Sequence, residues 1–324
     1  MLSLLIEFQY QYANYSNPDY QKTGKSTLKF QMINQRSDFS FALFSGGLST
    51  PKLIAVSNTI SFANPKAPVY PRLALADTWD VMTVTWTSGY DIDEAVPFVE
   101  WGLPGADTMR SPAGTLTFTR NQMCGSLNTT DQLVNDIDNI DAVFLIGDMP
   151  YANGYISQWD QYTAQVEPIA SVVPFMVASG NHERDSPNSG SFYQTDDSGG
   201  ECGVPAETEF YVPAKNRAKF WYSADYGMFH FCIADTEHDW RAGTEQFKFL
   251  EECLASANRH KQPWLIFAGH RPLGYSSNAW YGMEGSFEEP MGRDDLQKLW
   301  QKYKVDMAFW GHVHSYERTC PIYQ

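Results

Sequence analysis

The sequence predicts an all-β N-terminal sandwich followed by a layered α/β domain, and three observations support this fold class. At 324 residues the chain is long enough for two domains with separate cores. Up to about Cys124, short β-prone segments are separated by turn formers. From Ser126 onward, strand-like and helix-like segments alternate. We therefore assign residues 27–125 to the first domain and 126–324 to the second, and interpret residues 1–26 as a leader or the remnant of a longer N-terminus.

The N-terminal segments combine β-branched and aromatic residues with Gly- and Pro-rich connections. In Asp80–Gly89 the side chains alternate with the period of two that a strand requires. Strands of this length and spacing are typical of a β-sandwich of the fibronectin type III kind. The predicted strands are Leu28–Asn34, Asp38–Gly46, Lys52–Phe62, Asp80–Gly89, Pro97–Leu103 and Gly114–Arg120.

The second domain begins with a predicted helix in which Leu133, Ile137 and Ile140 recur at helical spacing. The apolar strand Ala142–Ile146 follows. Further helices are predicted within 159–170, 244–260 and 293–304. Further strands are predicted at 172–179, 264–268 and 305–310, with a hairpin at 219–237.

Composition excludes some function classes. A net charge of −15 argues against binding nucleic acid or anionic membranes through a broad basic surface. No run approaches the ~18 apolar residues of a membrane span. The 5 cysteines lack zinc-site spacing, and their odd number leaves at least one thiol unpaired within the chain. Sequons at Asn14 and Asn128 would permit N-glycosylation in a secretory protein.

Polar clusters, each led by a glycine, directly follow four of the predicted strands. In chain order they contribute Asp148 with Tyr151, Asn181 with His182, His270, and His312 with His314. In α/β sheets, ligand and catalytic groups gather where strands end. One strand-end Asp is more often a turn residue, and a lone buried His, such as His230 in its strand, is more often a core residue. Four such clusters with carboxylate, phenol, amide and imidazole groups favour a metal centre.

These clusters resemble, in order and spacing, the motif blocks of the metallophosphoesterases, and within them the plant-type purple acid phosphatases. The family block GDxxY corresponds to Gly147–Tyr151, and GNH(D/E) to Gly180–Glu183. The block VxxH corresponds to Phe267–His270, with Phe in place of Val, and GHxH to Gly311–His314. The resemblance covers the chain after Ser126, and the predicted sandwich matches the N-terminal domain of this family.

The resemblance implies that Asp148 bridges a ferric ion and a divalent Zn, Mn or Fe ion. The other implied ligands are Tyr151 and His314 for the ferric ion, and Asn181, His270 and His312 for the divalent ion. His182 would be catalytic, contacting the phosphoryl group or protonating the leaving alkoxide. A metal-bound hydroxide would then attack the phosphorus.

The implied activity is that of an acid phosphatase that hydrolyses phosphate monoesters outside the cytosol. The resemblance also implies secretion to the extracellular space, the cell wall or the vacuole, and it allows a homodimer. A second hypothesis within the family is that the chain is a nucleotide pyrophosphatase/phosphodiesterase. The loop Ser276–Pro290 lacks the histidines that some members use against monoesters, and its Trp280, Tyr281 and Phe287 could stack on a base or simply pack.

One family block, GDxG, has no counterpart, because Gly147-Asp148 is the only Gly-Asp pair in the chain. In the family this block ends the first strand of the catalytic domain and gives the ferric site a second carboxylate. The predicted sandwich also lacks its closing strands, so a segment missing between Cys124 and Ser126 would explain both absences. The family also continues beyond Gln324. We therefore expect one metal to bind better than two and phosphatase activity to be impaired; a catalytically inactive metal-binding glycoprotein is the remaining alternative.

Overall fold

The structure is a computed structural model that describes residues 18–30, 32, 34, 36–47, 49–78, 80–115, 127–275 and 293–319. The chain divides into two compact units, Met1–Asn34 and Gln35–Gln324. In the first unit the structure describes helix α1 (Pro18–Thr23). Among all described residues, no helix has the length and apolarity needed to cross a bilayer.

The second unit contains strands before residue 127 and alternating strands and helices after it. Its described strands are β1 (Ala42–Ser45), β2 (Lys52–Val56), β3 (Val69–Leu75), β4 (Met82–Thr87), β5 (Phe98–Trp101), β6 (Met109–Pro112), β7 (Val143–Ile146), β8 (Phe175–Ala178), β9 (Tyr222–Tyr226), β10 (Phe229–Ile233), β11 (Trp264–Gly269) and β12 (Met307–Trp310). Its described α-helices are α2 (Leu127–Asn135), α3 (Ile156–Ala170), α4 (Asn181–Arg184), α5 (Val204–Glu209), α6 (Glu245–Ser256) and α7 (Arg293–Tyr303).

Strands β1 to β6 form three antiparallel pairs in the described part of the chain, β1–β2, β3–β4 and β5–β6. The β3–β4 pair packs on the α/β domain through Arg72, whose buried guanidinium lies 2.9 Å from the Glu209 carboxylate. The Leu75 amide also lies 3.2 Å from the sulfur of Met176 in β8. By contrast, every residue of β1, β2 and β6 is exposed.

One strand prediction is wrong, and one strand was not predicted. The described residues within 28–34 form no strand, because β-prone side chains make a strand only where another strand pairs with them. Strand β3 was not predicted, since Pro71 and Arg72 interrupt its apolar pattern. Most of the predicted strand Gly114–Arg120 lies outside the described residues.

The predicted layered α/β domain is confirmed. Strands β7 and β8 pair in parallel, and a second sheet has the order β12–β11–β10–β9, in which β9 alone is antiparallel to its neighbour. The sheets meet where Phe144 of β7 stacks on Phe231 of β10, with ring centroids 4.2 Å apart. The segment Gly180–Glu183, predicted as a loop, instead begins the short helix α4, because the Glu183 carboxylate accepts the Gly180 amide at 2.9 Å.

Helices cover the outer faces of the two sheets. Trp159 and Ile169 of α3 are almost fully buried in one core cluster with β8, and Leu250 of α6 and Leu296 of α7 lie in a second cluster with β11. A disulfide between Cys232 and Cys253 joins β10 to α6, and Cys202 forms no disulfide. These layers leave the C-terminal ends of β7, β8, β11 and β12 to hold the loops that carry the predicted site.

Candidate metal centre

The strand-end loops bring four predicted ligands together. Ligand atoms of Asp148, His270 and His312 all lie within 4.8 Å of one another. The Asn181 Oδ1 atom lies 3.1 Å from His270 Nε2 and 3.0 Å from His312 Nδ1. His270 Nε2 is also 3.3 Å from Asp148 Oδ2. We call Asp148, Asn181, His270 and His312 the inner cluster.

Two glycines permit this close approach. A Cβ atom on Gly147, whose φ is +97°, would lie 2.5 Å from the His270 ring, and one on Gly180 would lie 2.4 Å from Asp148 Oδ1. Asp148 and His312 themselves have φ values of 56° and 64°, in the left-handed region that non-glycine residues seldom adopt. Strained backbone of this kind is common at functional sites.

Glu183 ties the loops after β7 and β8 together. Its fully buried carboxylate accepts hydrogen bonds from the amides of Gly180 at 2.9 Å, Asp148 at 2.8 Å and Met149 at 2.7 Å. Burial, together with the nearby charge of Asp148, raises the pKa of Glu183 to about 8. Asp148 is therefore placed by a side chain thirty-five positions later in the chain.

Asp148 and His312, two members of the inner cluster, are held in the protonation states that metal binding requires. Burial alone would raise the pKa of Asp148, but His270 and His182 hold that pKa well below its usual range. Burial and the charge of Arg271 lower the pKa of His312 to about 3. Asp148 is thus a carboxylate and His312 a neutral imidazole across the physiological range.

The His270 ring has a fixed orientation. Its Nδ1–H donates to the Ile146 carbonyl oxygen at 2.9 Å, which leaves Nε2 facing Asp148 and Asn181. A hydrogen bond donated by the ring nitrogen that does not bind the metal is the usual support of a metal-binding histidine. A carboxylate, an amide oxygen and two imidazole nitrogens in this arrangement fit a divalent transition metal.

Tyr151 and His314, which we call the outer pair, lie next to Asp148. The Tyr151 hydroxyl lies 3.1 Å from Asp148 Oδ2 and 2.8 Å from His314 Nε2. His314 is exposed, and in the described residues no set of three clustered His, Cys, Asp or Glu ligand atoms includes it. Burial and the Asp148 charge raise the pKa of Tyr151, which disfavours its phenolate.

His182, the predicted catalytic residue, lies beside both groups. Its ring packs against Tyr151 with centroids 3.9 Å apart, and its amide donates to Asp148 Oδ1 at 3.3 Å. Its Nδ1–H donates to the Asp197 carbonyl oxygen at 3.1 Å. The described residues therefore leave Nε2 as the ring nitrogen that can address a substrate.

Arg271 was not predicted as a site residue. It is buried, its Nε lies 2.8 Å from a Glu237 carboxylate oxygen, and its Nη2 lies 3.1 Å from Asp185. Its Nη1 lies 3.4 Å from His312 Nε2. The available sequence signal was an arginine directly after His270, at the end of a predicted strand. A buried cation requires buried anions nearby, so an arginine at this position indicates a network that supports the site.

Other sequence predictions lie away from the centre or outside the described residues. His230 is a buried strand residue, as predicted, with its Nε2 3.1 Å from the Cys253 carbonyl oxygen. Asn128 lies in α2, and its glycosylation stays a prediction. Asn14, Cys124, Cys320 and the loop Ser276–Pro290 are outside the described residues.

Comparisons with known proteins agree with this geometry. A family model described as calcineurin-like phosphoesterase matches residues 106–316, and one described as the Fn3-like domain from purple acid phosphatase matches residues 5–64. The solved structure of a purple acid phosphatase from yellow lupin (Lupinus luteus) seeds is similar at 56% identity and a TM-score of 0.85. That similarity covers 97% of this chain and 70% of the lupin chain.

Two curated relatives illustrate the range of names among similar proteins. The chain is 59% identical over 402 residues to probable inactive purple acid phosphatase 27 of Arabidopsis thaliana, covering 98% of this chain and 66% of the relative. It is 69% identical over 204 residues to a nucleotide pyrophosphatase/phosphodiesterase of Hordeum vulgare, covering 63% of this chain and 55% of the relative. The chain thus spans about two thirds of the Arabidopsis protein.

The length of the Arabidopsis match bears on the missing GDxG block. The match spans 402 aligned positions, whereas this chain has 324 residues. At least 78 of those positions, 402 less 324, therefore have no counterpart in this chain. The comparison therefore supports an internal gap of the kind that the absent motif predicts.

Proposed function

Because the chain belongs to the calcineurin-like phosphoesterases, and among them to the purple acid phosphatases, we propose that it is a metal-dependent hydrolase of small phosphate esters. The observation that carries this proposal is the convergence of the inner cluster on one point between its four side chains. A divalent Zn, Mn or Fe ion would be held there. A ferric ion would be held less tightly by Asp148 with the outer pair.

A bound divalent ion would supply Lewis acidity toward phosphate oxygens and a lowered pKa of coordinated water. The protein contributes the placement of the reacting groups. Asp148 and Asn181 present oxygens, and His182 keeps Nε2 free, from which the protonated ring would contact a phosphoryl oxygen or donate a proton to the leaving group. His182 directly follows Asn181 in the short helix α4, so one element holds both the ligand and the acid–base group.

We propose that turnover is slow. Among the described residues, the outer pair has no carboxylate besides Asp148, and His314 is exposed to solvent. Several similar Arabidopsis proteins carry names that describe them as probable inactive purple acid phosphatases, which supports low activity in this group.

The name of the barley relative favours a second substrate class, nucleotide pyrophosphates and phosphodiesters. The two classes differ in the leaving group that His182 would protonate, so one assay separates them. We expect the zinc- or manganese-loaded chain to hydrolyse either an aryl phosphate or a nucleotide pyrophosphate above the rate of the Asp148→Ala variant. Failure on both substrates, with divalent metal bound, would contradict a hydrolase and favour a metal-binding glycoprotein.

We also propose that the protein is secreted and glycosylated at Asn14 and Asn128. The Cys232–Cys253 disulfide supports an oxidising compartment, because cytosolic proteins rarely keep disulfides. A fall in mass on enzymatic removal of N-glycans from protein made in a plant secretory host would support this, whereas an unchanged mass would contradict glycosylation. A homodimer stays a separate prediction, and a light-scattering measurement of the molar mass would test it.

A further inference from the structure

Asn181 can serve as a metal ligand only if its amide oxygen, and not its nitrogen, points into the inner cluster. The two ends of an amide have nearly the same shape, so packing alone distinguishes them poorly. The structure contains a group that distinguishes them chemically. Asn181 Nδ2 donates to the Asp197 carboxylate at 2.9 Å, while Oδ1 faces the two histidines. A carboxylate only accepts hydrogen bonds, so Asp197 selects the nitrogen end.

The main chain of the same residue orients His182. The Asp197 carbonyl oxygen can only accept, so His182 Nδ1 must carry the proton of this 3.1 Å hydrogen bond. In a neutral ring, Nε2 is then the unprotonated nitrogen. One residue thus contacts both functional side chains of α4, through its carboxylate and through its backbone.

The segment directly after Asp197 is held in place by contacts at three residues. The Ser198 amide donates to the Asp185 carbonyl oxygen at 2.9 Å. The Glu201 carboxylate accepts the Gly154 amide at 2.8 Å and the Trp159 indole at 3.1 Å. Between Ser198 and Glu201, Gly199 has a φ of +57° and approaches Asn153 so closely that a Cβ would lie 2.4 Å from that residue's backbone. These anchors fix the loop relative to the end of β7.

We propose that Asp197 is a positioning residue, which holds the Asn181 oxygen toward a divalent metal and keeps the His182 ring oriented with Nε2 toward the substrate. The proposal rests on the proposed metal site and adds a requirement to it. Metal affinity depends on a carboxylate that is not itself a member of the inner cluster. Outer contacts of this kind typically change metal affinity or activity by roughly 10- to 100-fold when they are removed.

The chain offers a matched control one position away. Asp196 has the same side chain in the same loop, but it is exposed, and its Oδ1 accepts from Ser186 Oγ at 3.1 Å. It makes no described contact with Asn181 or His182. Asp196→Ala therefore removes the same charge from the same loop without removing the contact to Asn181.

The experiment is a calorimetric titration of the metal-free full chain with Mn²⁺ or Zn²⁺. We expect Asp197→Ala to weaken binding by roughly 10- to 100-fold, and Asp197→Asn, which keeps an acceptor oxygen, to stay within a fewfold of the wild type. Asp196→Ala should bind as the wild type does. Equal affinity of Asp197→Ala and the wild type would overturn the proposal.

A second background distinguishes positioning from general damage. In Asn181→Asp both ends of the ligand are oxygens, so no nitrogen needs to be selected, and Asp197 instead faces a like charge. We expect Asp197→Ala to strengthen metal binding in this background, although it weakens binding next to the natural asparagine. A weakening of the same size in both backgrounds would show a merely structural role and would contradict the proposal.

The outcomes also separate this inference from the proposed function. If the wild type binds no divalent ion, the proposed function fails. If the wild type binds and Asp197→Ala binds equally well, only the positioning role fails. Should Asp197→Ala not fold, Glu201→Gln is the alternative variant, because it weakens an anchor of the same loop and leaves the Asp197 side chain unmutated. A severalfold loss of metal affinity in Glu201→Gln would support the proposal, and no loss would contradict it.

Discussion

The inner cluster and the outer pair share Asp148 but differ in how their side chains are held. His270 and Asn181 are 1% and 5% exposed, and each has a hydrogen bond that fixes its orientation. His314 is exposed, and the contacts described for the Tyr151 hydroxyl are to His314 and Asp148. The described contacts hold the first group against buried parts of the fold, whereas those of the second join its two members to each other, to Asp148 and to His182.

The difference shows that ligand identity is only part of a metal site. Both groups have ligand types that suit metals, but among the described residues the contacts with buried ionisable side chains and anchored loops are made to the inner cluster. Glu183, Arg271 and Asp197 each contact it from a different segment of the chain. Organised ligands lose little freedom when the metal binds, so the inner cluster should bind more tightly. The predictions below test that contrast, from the largest expected effect to the smallest.

The largest effect is expected from Arg271→Met. It would leave the buried carboxyls of Asp185 and Glu237 without their cation, and loss of one partner of a buried charge network typically costs about 3–5 kcal/mol of folding free energy. Urea unfolding of the metal-free protein measures this. Arg241→Met, which removes an exposed guanidinium paired with Asp239, is the control and should leave the midpoint almost unchanged. A similarly small change in both variants would show that the inner cluster has no special support.

The next effect compares two histidines of one motif. His312→Ala removes an inner-cluster ligand and should weaken binding of the first divalent ion by more than about 100-fold, whereas His314→Ala should change it by less than about threefold. Calorimetry with Zn²⁺ measures both variants under identical conditions. Equal losses would mean that the two halves of the centre bind metal together, against our account.

A smaller effect is expected from pH. His312, with a pKa lowered to about 3, stays neutral in mild acid, while the Asp148 charge raises the pKa of the buried His270 above its usual value. Below the pKa of His270, the metal must therefore displace one proton, and affinity should fall about tenfold per pH unit. Titrations from pH 7 to pH 5 measure this slope. A fall of about a hundredfold per unit would show that two protons compete and that His312 is an ordinary histidine.

The seven candidate ligands and catalytic residues could be proposed from the sequence because their signal is local. Each cluster of these residues directly follows a strand and begins with a glycine, which close packing requires at Gly147 and Gly180. The supporting residues carried no such signal. The contacts of Asp197 with Asn181 and of Arg271 with Asp185 join loops whose proximity depends on the finished fold.

The same reason explains the errors in the N-terminal half. Strand β3 was missed because Arg72 breaks its apolar pattern, and that arginine pairs with Glu209, 137 positions away. Residues 28–34 have strand-like composition, yet their described part forms no strand. Helices and strands after residue 127 were easier to predict, since each has a clear period and short connections.

The most direct test of the central claim is the number of metal ions per chain. Purified protein would be loaded with iron and zinc, dialysed, and measured by plasma mass spectrometry and visible absorption. The account predicts about one divalent ion per chain, retained by the inner cluster, and no charge-transfer band from a ferric ion bound to the Tyr151 phenolate. Two tightly held metals per chain together with such a purple band would contradict it.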